Sequence, residues 1–271
     1  MTTIRITIAS LALAMATAAG AHAEVLLQGV TEFSKEVELS TMATGLISEV
    51  KVTEGQIVVA GDALAEVESD LQVARVAIAR VAADATAPID AARADLGLTK
   101  SRLARIERAV GRGGAAKWEL TEAKSSVVAA QARLVGVTEE QAANEARLAL
   151  ELASLKQFTL VAPFDGRVVE LFARTGALAN GREPLMVLVG GDVMRIVSFM
   201  PADQLSNIAP GDTAPVELGT PVSRSVEARV AAIDPRIEPG SGTVRVIFEF
   251  DNREINSPAG VEATIRLPDP S

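Results

Sequence analysis

The sequence holds no cysteine and no tyrosine, and its one histidine, His22, lies near the N-terminus. Without cysteine there is no disulfide framework and no thiolate to act as ligand or nucleophile. With no histidine past residue 22, the usual zinc sites and the Ser-His or Cys-His nucleophile pairs cannot be built. No clustered Asp/Glu pattern points to carboxylate catalysis or a hard-cation site. The expectation is a chain that is not an enzyme, with no cofactor and no metal. Basic residues are also in the minority: 26 Lys and Arg against 35 Asp and Glu give a net charge of −9. A nucleic-acid partner would need a basic face, so none is expected. Past residue 20 no apolar run approaches the ~20 residues that span a bilayer.

What is present begins with an export signal. Arg5 precedes an apolar, alanine-rich run from Ile6 to Gly20, followed by Ala21-His22-Ala23, a small-x-small cleavage pattern. Residues 1–23 are therefore expected to be removed, leaving Glu24 first; a retained anchor is the alternative. Loss of Arg5, the one charged residue among them, takes the net charge from −9 to −10. The remaining methionines, Met42, Met186, Met194 and Met200, could form a soft-metal site. Scattered as they are, they read as core gap-fillers.

Three kinds of segment follow. Residues 25–68 are strand-like, with β-branched residues punctuated by glycine. Residues 70–156 turn rich in Ala, Leu, Arg, Glu and Gln, and residues 158–267 return to Val/Ile-rich strands. The central segment carries heptads. Leu120, Val127, Leu134, Gln141, Leu148 and Leu155 fall seven apart, with Ala123, Ala130 and Val137 three residues after the first three. Earlier, Ile89, Leu96, Leu103 and Val110 share one position; Leu71, Ile78, Ala85, Ala92, Thr99 and Ile106 share the other. Gly111-Arg112-Gly113-Gly114 divides the two halves, so the pattern predicts an antiparallel α-helical coiled-coil hairpin. Helices of about 40 residues would reach ~60 Å at 1.5 Å per residue. Pro88 predicts a kink, with the heptad phase continuing across it. Gln141 and Asn144 interrupt the seam; they would pair across it, with Thr99 or Arg75 as conceivable partners, or sit where it opens to solvent.

The strand segments contain an internal repeat. One copy runs Gly45-Leu-Ile-Ser-Glu-Val-Lys-Val-Thr-Glu-Gly55 and then Gly61-Asp-Ala-Leu64. The other runs Gly166-Arg-Val-Val-Glu-Leu-Phe-Ala-Arg-Thr-Gly176 and then Gly181-Arg-Glu-Pro-Leu185. Glycines bracketing short apolar strands fit tight turns at positive φ. Neither copy alone can close a core, whereas two packed together make one small β-sandwich.

At these residues the sequence resembles the membrane-fusion, or periplasmic adaptor, family of tripartite pumps (HlyD-like). The glycine segments resemble split halves of a lipoyl-like domain, and residues 70–156 resemble the family's α-hairpin. Leu160-Val-Ala-Pro-Phe-Asp-Gly166 resembles the re-entry from hairpin to sandwich. Ala228-Arg-Val-Ala-Ala-Ile-Asp-Pro235, Gly242-Thr-Val-Arg-Val246, Phe250-Asp-Asn252 and Pro258-Ala-Gly260 are similar to the family's β-barrel domain. The resemblance implies an α+β, multidomain and elongated chain: a split lipoyl-like β-sandwich with an inserted antiparallel α-helical coiled-coil hairpin, followed by a β-barrel domain. The expected divisions are a lead-in over 24–36, lipoyl-like halves at 37–69 and 157–191, the hairpin at 70–156, the barrel at 192–267 and a tail at 268–271. With about a dozen residues ahead of Val37 and an end at Ser271, the family's membrane-proximal domain is expected to be absent or vestigial.

The resemblance implies a periplasmic adaptor associated with the inner membrane. It would bridge an inner-membrane transporter and an outer-membrane channel, as a homo-oligomer of six copies around a pore. The alternatives are a type I secretion adaptor with a retained N-terminal anchor, and a structural envelope coiled coil. A swinging-arm carrier is disfavoured, because the hairpin replaces the turn where such a carrier presents its lysine. The family's tip motif places arginine, leucine, serine and an apolar residue at positions matched here by Arg105, Ala109, Ala116 and Leu120. Arg105, Arg108, Arg112 and Lys117, against Glu107, make the tip basic, which steers a chain toward acidic surfaces. Trp118 falls at heptad position f, facing away from the seam as an interface anchor would. Arg105, Arg108, Arg112, Lys117, Trp118 and Leu120 are the candidate partner-docking set.

Overall fold

The computed structural model describes residues 25–267. The export signal read over residues 1–23 and the tail from 268 lie outside the described residues. The described residues divide into two units, 25–34 with 191–267, and 35–190.

The first unit is all-β with one 3-10 turn, Ala202–Asn207. It takes the start of β1 (Val25–Leu39), the end of β8 (Met186–Pro201), and β9 (Thr213–Leu218), β10 (Arg224–Glu238), β11 (Thr243–Asp251) and β12 (Glu262–Leu267). Their order is β1-β12-β9-β10-β11-β8, and β8 pairs back on β1, which leaves no free sheet edge. Period-two alternation fills the interior: β9 alternates exposed and buried throughout, and Met194, Ile196, Val216, Val246, Phe248 and Ile265 are inaccessible. Closure requires Gly29, where a Cβ would come within 2.7 Å of the Ile196 side chain. Residues 24–36, expected as a lead-in, thus supply a barrel strand as far as Ser34. Leu27, Gly29 and Thr31 point inward while Leu26 and Val30 are exposed, an alternation too short, before the charged Glu32, Lys35 and Glu36, to announce itself.

Within the second unit the sequence repeat is a structural repeat. β2 (Gly45–Val50) and β6 (Gly166–Leu171) share one burial pattern, as do β3 (Ile57–Val58) and β7 (Leu178–Ala179). Each copy's turn pairs with the other copy's strand: β3 with β6, and β7 with β2. The backbone bonds are reciprocal. Gly55 N–H donates to Val168 O and Gly176 N–H to Ile47 O, both at 2.8 Å. Gly55 and Gly176 adopt φ of +84° and +83°, the left-handed region where a side chain is strained. β4 (Ala63–Val67) lies between β2 and β5 (Thr159–Val161) in one sheet, and β8 lies beside β6 in the other. Leu64, Val168, Met186 and Leu188 form the inaccessible heart between them.

From β4 the chain runs into α1 (Asp70–Ala83) and α2 (Ala87–Val110), returning in α3 (Lys117–Lys156), which packs on both. Residues 84–86 are not helical, and Pro88 sits in the first turn of α2, where its missing N–H costs nothing. The seam of α2 carries buried Ala92 and Leu96, with Ile89, Thr99, Leu103 and Ile106 half-buried. In α1 the expected seam fails. Gln72, Val76, Ala79 and Ala83 are buried, while Leu71 and Ile78 are 68% and 72% exposed. The phase therefore does not continue across the break. Seam residues Ala83 and Ile89 are six apart, where an unbroken heptad would put seven. Non-helical residues rise more than 1.5 Å each, so fewer are needed to reach the next level of α3.

The polar seam residues are also re-partnered. The Gln141 side-chain amide donates to Ala83 O, the carbonyl at the end of α1. Thr99 bonds the carbonyls of Asp95 and Leu96 on its own helix, and Arg75 reaches Gln72 at 3.5 Å. Neither meets Gln141. A helix end leaves carbonyls without intrahelical donors, and an amide opposite them is the better match. Asn144 is half-buried.

Candidate docking interface

The tip is built by two helix ends. The N–H groups of Arg112, Gly113 and Gly114 fold back onto the carbonyls of Ala109, Val110 and Ala109. Gly113, at φ +74°, turns the chain. Ala116 has no side chain with which to cap α3; Glu119 Oε2 instead accepts the Ala116 N–H at 3.0 Å. Lys117 opens α3, where the helix dipole disfavours a cation, and Glu119 offsets it.

Five of the six candidates stand in solvent: Arg105, Arg108, Arg112, Lys117 and Trp118 are exposed. Trp118 is 66% accessible. Arg108 Nε bonds Ala104 O of its own helix at 3.1 Å, which holds that guanidinium along α2. Leu120 differs, being half-buried on the seam. The tip therefore presents one large aromatic among four cations.

A second feature escaped sequence reasoning. On the barrel, Phe199, Asp234, Arg236, Ile237, Thr243 and Arg245 surround a concavity of about 370 Å³. β10 slips register between Ile233 and Ile237. In that bulge Asp234 accepts three bonds from Arg236, at 2.9–3.0 Å from Nη2, Nε and the backbone N–H. The Arg236 side chain, then its backbone N–H, hold the carboxyl at about 2. A bulge has no composition signal of its own; Asp234-Pro235-Arg236 was the only hint.

Residues 196–271 match the family described as the CusB-like β-barrel domain. Over 245 residues the chain is 25% identical to the multidrug resistance protein MdtN of Escherichia coli O6:H1, covering 76% of this chain and 71% of that one. The chain is a relative of the membrane-fusion, or periplasmic adaptor, proteins. A second relative is the nickel-cobalt-cadmium resistance protein NccB of Alcaligenes xylosoxydans xylosoxydans, 25% identical, with 78% of this chain and 49% of that one covered. MacA from Actinobacillus actinomycetemcomitans shares the adaptor fold with a TM-score of 0.75 at 20% identity, over 91% of this chain and 79% of that one. The membrane fusion protein Spr0693 from Streptococcus pneumoniae R6 shares it at 0.63 and 16% identity, over 91% and 100%. β-rich units with a helical hairpin are the adaptor architecture, and no helix among the described residues is long and apolar enough to cross a membrane.

Proposed function

We propose that this chain is the periplasmic adaptor of a tripartite efflux complex, joining an inner-membrane transporter to an outer-membrane channel and catalysing nothing itself. The observation that carries the reading is the hairpin. α3 alone runs 40 residues, ~60 Å at 1.5 Å per residue, and the tip it forms with the end of α2 and the turn between them carries an exposed tryptophan and four cations. So long a two-helix projection is too thin to be a core; it serves to reach.

The sandwich that carries the hairpin is lipoyl-like in this reading, supported by the reciprocal turns at Gly55 and Gly176. The helical insertion stands where a carrier would present its lysine, so the sandwich acts as a mount. Trp118 is the anchor for the channel, and Arg105, Arg108, Arg112 and Lys117 steer the encounter with its acidic rim. Several copies line the path, six in the resemblance-based reading.

Deleting the gene is expected to sensitise cells to the substrates of the paired transporter while that transporter stays folded in the inner membrane. Trp118→Ala and Arg105→Glu should each abolish transport with protein level and circular dichroism unchanged. If both variants transport like the unaltered chain, the tip is not the docking surface.

A further inference from the structure

An asparagine is chemically labile where the backbone nitrogen of the next residue is free to attack its side-chain carbonyl. The chain has five asparagines: Asn144, Asn180, Asn207, Asn252 and Asn256. Four are guarded at that nitrogen. Glu145, after Asn144, lies inside α3, where its N–H belongs to the helix ladder. Ile208 N–H donates to Leu205 O, Arg253 N–H to Asp251 Oδ1 at 3.0 Å, and Ser257 N–H to Asn252 Oδ1 at 2.7 Å. A nitrogen must give up its hydrogen to attack, and a hydrogen already bonded to an acceptor is shielded from base.

Asn180 is the exception. It follows β7, both it and Gly181 are exposed, and Gly181 donates its N–H to nothing among the described residues. Glycine also brings no Cβ to crowd the approach. The fold demands that glycine, because its φ is +70° and a Cβ would lie 2.9 Å from Thr41 O. The electrophile is prepared as well. Asn180 Oδ1 accepts the N–H groups of Arg182 at 3.0 Å and Glu183 at 3.3 Å. Two such donors lie where negative charge gathers as a nucleophile adds to the carbonyl, the arrangement of an oxyanion hole. In the first copy of the repeat Ala60 precedes the corresponding Gly61, and no carbonyl of this kind is offered.

We propose that Asn180-Gly181 is a self-modification site of the folded chain, converting without any enzyme to aspartyl and isoaspartyl forms. Hydroxide takes the proton from Gly181 N, and that nitrogen adds to Asn180 Cγ. The Cγ–Nδ2 bond breaks, a proton from water goes with Nδ2 as it leaves as ammonia, and hydroxide is regenerated. A five-membered imide remains, and water opens it at either C–N bond. Opening at Cγ leaves the main chain as it was, with aspartate at 180. Opening at the Asn180 carbonyl carbon routes the main chain through Cγ and lengthens it by one methylene.

The lengthened form has a consequence because this turn joins two buried residues. Ala179 and Leu185, 1% and 6% exposed, belong to one apolar cluster, and Leu185 N–H donates to Leu39 O at 2.7 Å. An added main-chain carbon between them displaces one or the other, so the isoaspartyl chain has a loosened sandwich. The aspartyl form keeps its main chain and an acceptor for the same two N–H groups.

The test ages the purified full chain for several weeks in mildly alkaline buffer. Trypsin cleavage after Arg174 and Arg182 isolates Asn180 in one peptide. Mass spectrometry with electron-transfer fragmentation is expected to show Asn180 converting at least about tenfold faster than Asn256, in both product forms. The melting temperature of the aged protein should fall as the isoaspartyl fraction grows. Asn180→Ser keeps a short acceptor for the turn and has no carbonyl to attack; aged alongside, it should keep its melting temperature. Asn180 left unconverted, or Asn256 converting as fast, overturns the site. An isoaspartyl fraction without a fall in melting, or an equal fall in Asn180→Ser, overturns its effect on the sandwich. The inference stands apart from the adaptor reading, and no transport is measured.

Discussion

Gln141, in the middle of the unbroken helix α3, donates its side-chain amide to the backbone carbonyl of Ala83, the last residue of α1. One polar side chain thereby closes the interruption between α1 and α2. Gln141→Leu removes the donor and leaves a part-buried carbonyl without it, at a cost of about 1–3 kcal/mol. Amide exchange is expected to quicken at residues 83–87 and to hold steady around Ala92 and Leu96. Uniform protection along both helices would show that the bond does not secure the break.

Asn252 holds the turn after β11. Its Nδ2 donates to Gly191 O at 3.0 Å and Ser257 O at 3.1 Å, and its Oδ1 accepts the Ser257 N–H at 2.7 Å. With both residues buried, Asn252→Ala strands three backbone groups and should destabilise the barrel by about 2–3 kcal/mol in urea unfolding. An unchanged midpoint would mean that water replaces the amide.

Glycines of the second unit divide sharply by surroundings. A Cβ on Gly166 would lie 2.3 Å from Val189 O, whereas nothing lies within 4 Å of one on Gly136 in α3. Gly166→Ala is expected to lower stability by about 3 kcal/mol, and Gly136→Ala to raise it by about 1 kcal/mol. Thermal melts of the two variants should move in opposite directions.

Acid should weaken the barrel through two carboxylates, Asp234 half-buried and Asp251 exposed. Hydrogen bonds from Arg236 and Arg253 hold Asp234 and Asp251 at about 2, below their ordinary 3.8. A lowered folded-state value means the contribution is fully present above pH 4 and is lost as pH falls from 4 to 2. Asp234→Asn should therefore flatten the dependence of the unfolding midpoint in that window, lowering the midpoint near pH 7 and leaving it close to that of the unaltered protein near pH 2.

The hairpin and the repeat were legible because each rests on spacing: heptads broken by Gly111 to Gly114, and glycines ten apart in both copies. Trp118 was placed outward by its heptad position alone. The α1 phase was not legible. Periodicity favours the larger side chains, and Leu71 and Ile78 outweigh Val76 and Ala79; only the level of α3 opposite decides which row is buried. The first barrel strand was hidden for a related reason, since its partners Glu262 to Leu267 lie more than 200 residues away. Asp234 drew no notice because its role comes from a slip in register, which composition does not record.

The reciprocal pairing of Gly55 with Val168 and Gly176 with Ile47 also fixes an order of events as the chain leaves its site of synthesis. Residues 45–67 emerge first and cannot complete their sandwich, because every turn they make needs a strand more than a hundred residues later. The intervening helices need no part of the sandwich, and by pairing outward from the turn at 111–114 they bring Val67 and Phe158 within bonding distance. The hairpin is thus the clamp that shortens the search for the second half. A nascent chain halted before Thr159 would carry a finished hairpin on an open, adhesive half-sandwich, the species a chaperone would have to shield.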